Sequence, residues 1–389
     1  MDRPAPPVTN PIALVMGGLI AMAAALGVGR FVYTPILPFM VSELGLSTSA
    51  AGLIASANFA GYLAGALVAA TPFIKGSRRA WLLGSLIASA LTTGSMGIVS
   101  TVPQMMALRF VGGFASAFVL IFVSSLVLDR LRSSGRPGLM TMHFAGVGIG
   151  IALSSVIVTG LDHFGSDWRA LWLASGAISL AATIAVLFLV PGGGDPPAVI
   201  ATTGKGDAAG FRALTLSYGL FGFGYVITAT FIVVITRGSP AIRPLEPAIW
   251  LIVGLAGAPS VWIWGLIGNR IGSTLAYAIA CLIEAVGVVA SVLWVSAPGI
   301  ILASFLLGGT IMGITALGIA CGRNLAPENP RRAVAVMTAA FGLGQIIGPI
   351  VAGWMVDLTG SFIAPSLMAA ATLVVSALLA LWVRSRRLA

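Results

Sequence analysis

Four ionisable side chains stand inside otherwise apolar stretches of this chain: Arg30, Arg109, Glu284 and His143. A charge in hydrocarbon costs about 2.5 to 3.5 kcal/mol on insertion scales, so each must face protein, water or a ligand. A guanidinium among hydroxyls is suited to a carboxylate, sulfonate or phosphate, which its parallel N–H donors match. Arg30 lies about twenty residues into the first apolar stretch, too deep for a loop charge. On a 100° period it shares a face with Gly27 and Thr34, with Tyr33 alongside and Pro35 placed to loosen the backbone. The competing reading is a structural arginine bonded to carbonyls of a neighbouring helix. A buried Glu and a His offer proton-carrying chemistry instead. The ordinary alternatives are an interhelical hydrogen bond for Glu284 and packing for His143.

These residues need elements to hold them, and composition says which kind. With 58% hydrophobic and 8% charged residues in 389, the polar surface is too small to cover a soluble fold, so a bilayer must be the solvent. Twelve stretches of spanning length begin near Pro11, Ser49, Ala80, Pro103, Gly138, Trp168, Gly210, Pro247, Ser273, Pro298, Arg332 and Phe362. The reading is an all-α membrane protein, with 49 glycines serving close helix packing. A Pro/Gly-rich segment divides the chain into a first bundle over 1–190, a linker over 191–209 and a second bundle over 210–389. The first stretch reads as a retained helix, not a signal peptide. If the amino terminus is inside, sixteen Lys and Arg fall on inner segments and only Arg169, Arg237 and Arg243 on outer ones, which places both termini in the cytoplasm. The net charge of +10 is therefore mostly topological, and its dispersal over many loops argues against nucleic acid. Two cysteines and two histidines without ligand spacing give no metal site, and no cofactor is expected. No phosphate-binding loop of a primary pump is present.

The halves repeat. Gly27-Val28-Gly29-Arg30 matches Gly222-Phe223-Gly224-Tyr225 at an offset of 195. Gly112-Gly113 matches Gly308-Gly309, Gly146 and Gly148 match Gly342 and Gly344, and Gly76 matches Gly272, each at 196. The repeat sets Tyr225 opposite Arg30, where it offers a hydroxyl and an aromatic wall. Asn58 and Tyr62, one turn apart in the second helix, and Gln345 in the eleventh are further polar candidates for the same cavity, or else bonds between helices.

Gly265 to Gly272, GLIGNRIG, resembles the G-x-x-x-D-R-x-G loop signature of the major facilitator superfamily, with Asn269 in place of Asp; its first-half counterpart, Lys75 to Arg79, is degenerate. Arg109 with Gly113 resembles the superfamily's R-x-x-x-G pattern, and the glycine-rich fifth helix resembles its antiporter motif, though Gly-Pro stands only at Gly348-Pro349. GVGRFVYTPILP from Gly27 and GFGY from Gly222 are similar to the YbfB/YjiJ-type branch. The resemblance implies two pseudo-symmetric six-helix bundles around a central cavity open alternately to each side, and a monomer. It also implies an inner latch, with Asn269 and Arg270 in the loop and Asp129 as a partner for a loop cation; simple solvated charges are the equal alternative. In such a protein Arg109 serves packing, coupling or substrate.

The expected function is a secondary transporter in the bacterial inner membrane that moves a small organic solute, by preference an anion, with protons or a counter-anion as coupling species. The runner-up is proton-coupled efflux of amphipathic compounds. A sensor on a transporter scaffold is the third reading.

Overall fold

The computed structural model describes residues 10–71, 74–133, 142–191 and 206–388, and the chain is all helix. The expected linker at 191–209 lies largely outside the described residues, as do Arg3, Arg136 and Lys205 among the inner cations. In the first half the helices are α1 (Pro11–Met22), α2 (Tyr33–Leu44), α3 (Thr48–Ala69), α4 (Arg78–Ser95), α5 (Val102–Ser133), α6 (Ala145–His163) and α7 (Trp168–Leu189). In the second they are α8 (Ala208–Gly238), α9 (Glu246–Gly257), α10 (Ser260–Ile271), α11 (Ser273–Leu293), α12 (Ala297–Leu325), α13 (Pro330–Thr359) and α14 (Ile363–Leu388).

Their ends follow local rules. Asn10, Ser47, Ser77, Asp167, Asp207, Ser296 and Asn329 each cap a helix by accepting from a backbone N–H of its first turn. Glycines at positive φ close α2 and α13. Gly76 (φ 98°) and Gly272 (φ 90°) both take positive φ in the two repeat-related loops, one residue out of register with the helices that follow, which start at Arg78 and Ser273, 195 apart.

Among the described residues ten helical segments are long and apolar enough to cross a membrane, or eleven when α9 and α10 count as one bent span. The twelfth expected crossing is α4. It is helical, but two arginines and five hydroxyl residues dilute its 18 residues. Two spans are broken. The first runs α1, a π-helical turn over Ala23–Val28, a short turn, then α2. The α9/α10 span bends by 44° at Ala258-Pro259, where proline removes one helical hydrogen bond.

Helices α1–α7 form one bundle and α8–α14 the other. The repeat is real in the packing, with one adjustment. A Cβ on Gly113 would stand 1.9 Å from the Asn58 carbonyl oxygen, and one on Gly308 would stand 2.1 Å from that of Val253. Both pairs are related by 195, so Gly308 and not Gly309 is the mate of Gly113. The bundles meet chiefly through α3 on α13, α6 on α9 and α2 on α8. Asp357 accepts from the backbone N–H groups of Thr48 and Ser49, both at 3.0 Å. Ser155 Oγ donates to the Pro247 carbonyl at 3.0 Å, Thr34 Oγ1 to that of Ala229 at 2.9 Å, and Ser56 Oγ to that of Ile346 at 2.7 Å. Every one of these contacts lies toward the face opposite the termini. Nearer the terminal face, no hydrogen bond or ion pair joins the bundles among the described residues, and α10 packs on α11 and α12 instead of α6. Among the described residues, the polar contacts that join the bundles gather at one face.

That closure depends on backbone touching backbone. A Cβ on Gly254 would lie 2.2 Å from the Ala152 backbone nitrogen, which helices cannot accommodate without moving apart. Gly254→Ala is therefore expected to destabilise this closed face and shift the population toward the opposite state. Spin labels at Glu43 and Arg243, exposed residues on that face in different bundles, should show a longer distance in the variant; an unchanged distribution would refute the assignment of the closed face.

Candidate functional site

The site begins at the break in the first span. The π-helical turn is closed by bonds from the Gly29 N–H to the Ala24 carbonyl at 2.8 Å and from Phe31 to Leu26 at 3.2 Å. Beyond it, the Thr34 N–H turns to the Phe31 carbonyl at 3.2 Å, so the Arg30 carbonyl loses its helical donor. Pro35, lacking an N–H, sits where the break is needed. Arg109 on α5 supplies what is missing: Nη1 donates to the Gly29 carbonyl at 3.0 Å and Nη2 to the Arg30 carbonyl at 2.8 Å. Its guanidinium is held over Tyr33 at 5.1 Å and Trp172 at 5.9 Å. The Asn58 amide donates to the carbonyl of Arg109 itself at 2.9 Å, and the Tyr33 hydroxyl to that of Ala51 at 2.8 Å. The carbonyl-bound structural arginine anticipated as the alternative for Arg30 is in fact Arg109.

Arg30 does something else. It is 5% exposed, and its guanidinium lies over the rings of Tyr62 at 4.2 Å, Phe59 at 4.7 Å and Phe31 at 5.4 Å. Nε and Nη2, the two donors along one edge of the fork, are buried without an acceptor. Across the bundle interface stands Tyr225, close enough to interact electrostatically with Arg30, Tyr62 and Glu284. The Gln345 amide donates to the Tyr225 hydroxyl, and its Oε1 has no donor. Phe341, one turn before Gln345 on α13, stacks on Tyr225 at 5.7 Å and on Tyr218 at 4.9 Å. A cation, two phenols and an amide thus converge between aromatic walls.

Eight residues were expected to contact a substrate, and the structure sorts them. Arg30, Tyr62, Tyr225 and Gln345 come together. Tyr33, Thr34, Asn58 and Arg109 donate to backbone carbonyls and position the others, with Arg109 Nε and Asn58 Oδ1 left over without a partner. The expected common face of Gly27, Arg30 and Thr34 does not exist, because the π-turn and the following turn change the helical phase: Thr34 points to the partner bundle and Arg30 to Tyr62. All eight are at most 8% exposed, so the cavity expected to reach Arg30 from solvent is sealed in this conformation.

Glu284 on α11 is fully buried and faces Thr310 of α12, whose hydroxyl donates to the Leu306 carbonyl at 2.7 Å. Thr310 is thus the interhelical hydrogen-bond partner within reach of this carboxyl. His143 lies apart, against Gly18 of α1 and within 3.3 Å of Ser124 Oγ. The expected latch is half formed: Asp129 does pair with a loop cation, Arg78, at 2.9 Å, but within one bundle. Asn269 and Arg270 are exposed and reach no partner among the described residues, as fits a face where the bundles are apart.

The aromatic walls were missed by reasoning from polar residues alone. Their signal was present: Tyr218, Phe221 and Tyr225 follow helical spacing on α8, Phe59 and Tyr62 do so on α3, and Phe341 and Gln345 are one turn apart.

Two broken-span bundles closed at one face around buried, unpaired polar groups define a membrane carrier of the major facilitator type. A family model described as "Uncharacterised MFS-type transporter YbfB" matches residues 22–381, and the chain belongs to that family. It is 26% identical over 152 residues to an uncharacterized MFS-type transporter, YcaD, of Salmonella enteritidis, an alignment covering 39% of this chain and 38% of the relative's length. It is 25% identical over 381 residues to a chloramphenicol resistance protein of Streptomyces lividans, with 93% and 94% covered. The fold is similar to the crystal structure of the nucleoside transporter NupG, with a TM-score of 0.69 at 15% identity, covering 97% of this chain and 99% of that one.

The two buried arginines should respond oppositely to one substitution. Arg109→Met leaves two carbonyls unpaired in an apolar setting and is expected to destabilise by about 2 to 4 kcal/mol. Arg30→Met removes a charge that the protein does not pair and should be neutral or stabilising. Melting of both variants in detergent checks the contrast, and equal losses would contradict it.

Proposed function

We propose that the protein is a secondary transporter that carries a small organic anion across the bacterial inner membrane by alternating access, with Arg30 as the anion-binding residue. The observation that carries this is the pair of buried, acceptorless donors Nε and Nη2 on one edge of Arg30. Two parallel N–H groups at that edge match the two oxygens of a carboxylate or phosphate, and a guanidinium desolvated among aromatic rings gains most from such a partner. Gln345 and the Tyr62 and Tyr225 hydroxyls complete the recognition of polar substituents, while Phe59 and Phe341 cover the carbon skeleton. The positive-inside rule puts the terminal face in the cytoplasm; the contacts joining the bundles then lie on the periplasmic side, and the conformation is closed toward the periplasm with the site occluded. Bundle limits at 1–190 and 210–389 follow the same division, and a monomer suffices for the site.

Efflux of amphipathic aromatic compounds is the second reading. It is favoured by the name of the Streptomyces lividans relative and by the aromatic stack of Tyr218, Phe221, Tyr225 and Phe341.

A thermal-shift screen against organic acids, amines and lipophilic drugs separates the two. At a hundredfold excess over Kd a ligand adds about 2.7 kcal/mol of stability, so a carboxylate or phosphate should raise the melting point of the parent and leave Arg30→Ala unmoved. Neutral aromatic compounds that stabilise both proteins equally, with no response to anions, would replace the first reading by the second.

Coupling to protons is assigned to Glu284, which lies near Tyr225, ahead of His143, which does not. In proteoliposomes, uptake driven by a pH gradient should be lost in Glu284→Gln while counterflow exchange continues, and His143→Gln should keep both. Retention of gradient-driven uptake in Glu284→Gln would remove that residue from the mechanism.

A further inference from the structure

A second polar cavity, independent of the transport site, opens at the terminal face where α3, α4 and α5 end. It holds about 430 Å³ and is lined by Ile74, Lys75, Gly76, Arg78, Trp81 and Phe122 among others. Gly76, at φ 98°, turns the chain so that Lys75 and Arg78 flank the opening. The indole N–H of Trp81 donates to the Lys75 carbonyl at 2.9 Å and fixes that turn. Trp81 also packs on Phe118 and Phe122, giving the cavity an apolar wall that is 39% exposed at the indole.

The charge around it is lopsided. Arg79 donates to the Val190 and Leu187 carbonyls at 2.7 and 2.6 Å, and Arg130 donates to that of Pro191 at 2.8 Å, so both serve the end of α7. Arg130 is crowded by Arg78 and Arg79. Asp129 is the one carboxylate paired within this group, with Arg78, and Lys75 is exposed without an ion pair among the described residues. The fold does not require this arrangement, since its repeat mates are different: Trp81, Arg78, Phe122 and Asp129 correspond at an offset of 195 to Ala276, Ser273, Leu317 and Asn324, and only Lys75 meets another cation, Arg270.

We infer that this cavity binds the phosphate headgroup of an anionic phospholipid, with the phosphate between Lys75 and Arg78 and the glycerol and first acyl carbons against Trp81 and Phe122. Basic pockets between membrane helices on the inner face suit such headgroups, and an indole at the interface suits the boundary between headgroup and chain. The half-exposed apolar wall favours a lipid over a free phosphate, which would gain nothing from it.

The test is native mass spectrometry of the full-length protein released from detergent with phosphatidylglycerol, phosphatidylcholine or inorganic phosphate added. Phosphatidylglycerol should be retained above phosphatidylcholine. Its apparent affinity should fall roughly fivefold in Lys75→Gln, the effect of removing one cation near the surface, and further in Lys75→Gln combined with Trp81→Leu. Arg270→Gln, at the mate position, should leave it unchanged. Equal retention of the two lipids, equal binding by Lys75→Gln and parent, or competition by millimolar inorganic phosphate alone would overturn the assignment. Lys75→Gln alters an exposed side chain, so its melting point in the absence of lipid should match the parent and exclude misfolding.

Discussion

A backbone carbonyl in a bilayer has no water to turn to, and the break in the first span leaves at least one without its helical donor. The Arg109 fork resolves this by bonding the carbonyls of Gly29 and Arg30 together. The rest of the site depends on that contact. It fixes the backbone of Arg30, and so the direction of its guanidinium toward Tyr62 and the bundle interface. Tyr33, Trp172 and Asn58 hold Arg109 in place in turn. One buried cation is therefore spent on the fold so that another keeps one edge of its fork, Nε and Nη2, without a protein acceptor.

The closed face obeys a different constraint. Helices α6 and α9, and α3 and α13, approach until main chain meets main chain, as at Gly254 and Ala152. Such contact gives dispersion without hydrophobic gain, because lipid is as apolar as the helices. Two surfaces of this kind separate at little cost, and the polar bonds that accompany them are few: Asp357 with Thr48 and Ser49, Ser155 with Pro247, and Ser56 with Ile346.

Much of this could be read from the amino acids, for identifiable reasons. Span positions and the repeat follow from hydrophobicity and glycine spacing, which the bilayer enforces directly. Arg30 and Tyr225 emerged as a facing pair because pseudo-symmetry is a statement about geometry. The roles of Arg30 and Arg109 were harder to divide, since both are buried guanidiniums and only the π-turn decides which carbonyls are orphaned. A regular 100° period placed Thr34 beside Arg30, and one wide turn sufficed to send it elsewhere. Phe59 and Phe341 escaped notice because aromatic residues on membrane helices are common, and their convergence is a property of tertiary packing. The expected latch assumed bundles joined at the terminal face, where Arg270 instead stands exposed.

The first span is shared between the two halves of the molecule. Up to the π-turn it is bound to its own bundle, with Gly17 against Leu189 and Val190 and Gly27 against Gly150. Beyond Arg30 it also adheres to the other bundle, through the bond from Thr34 to Ala229 and the Arg237 guanidinium 4.0 Å over the Phe39 ring. Any rotation that separates the bundles must tear those attachments or flex the chain between them, and the residue at that flexure is Arg30. A cargo held by this guanidinium would thus sit on the joint itself, where its arrival and departure bear directly on the torque between the two rigid bodies.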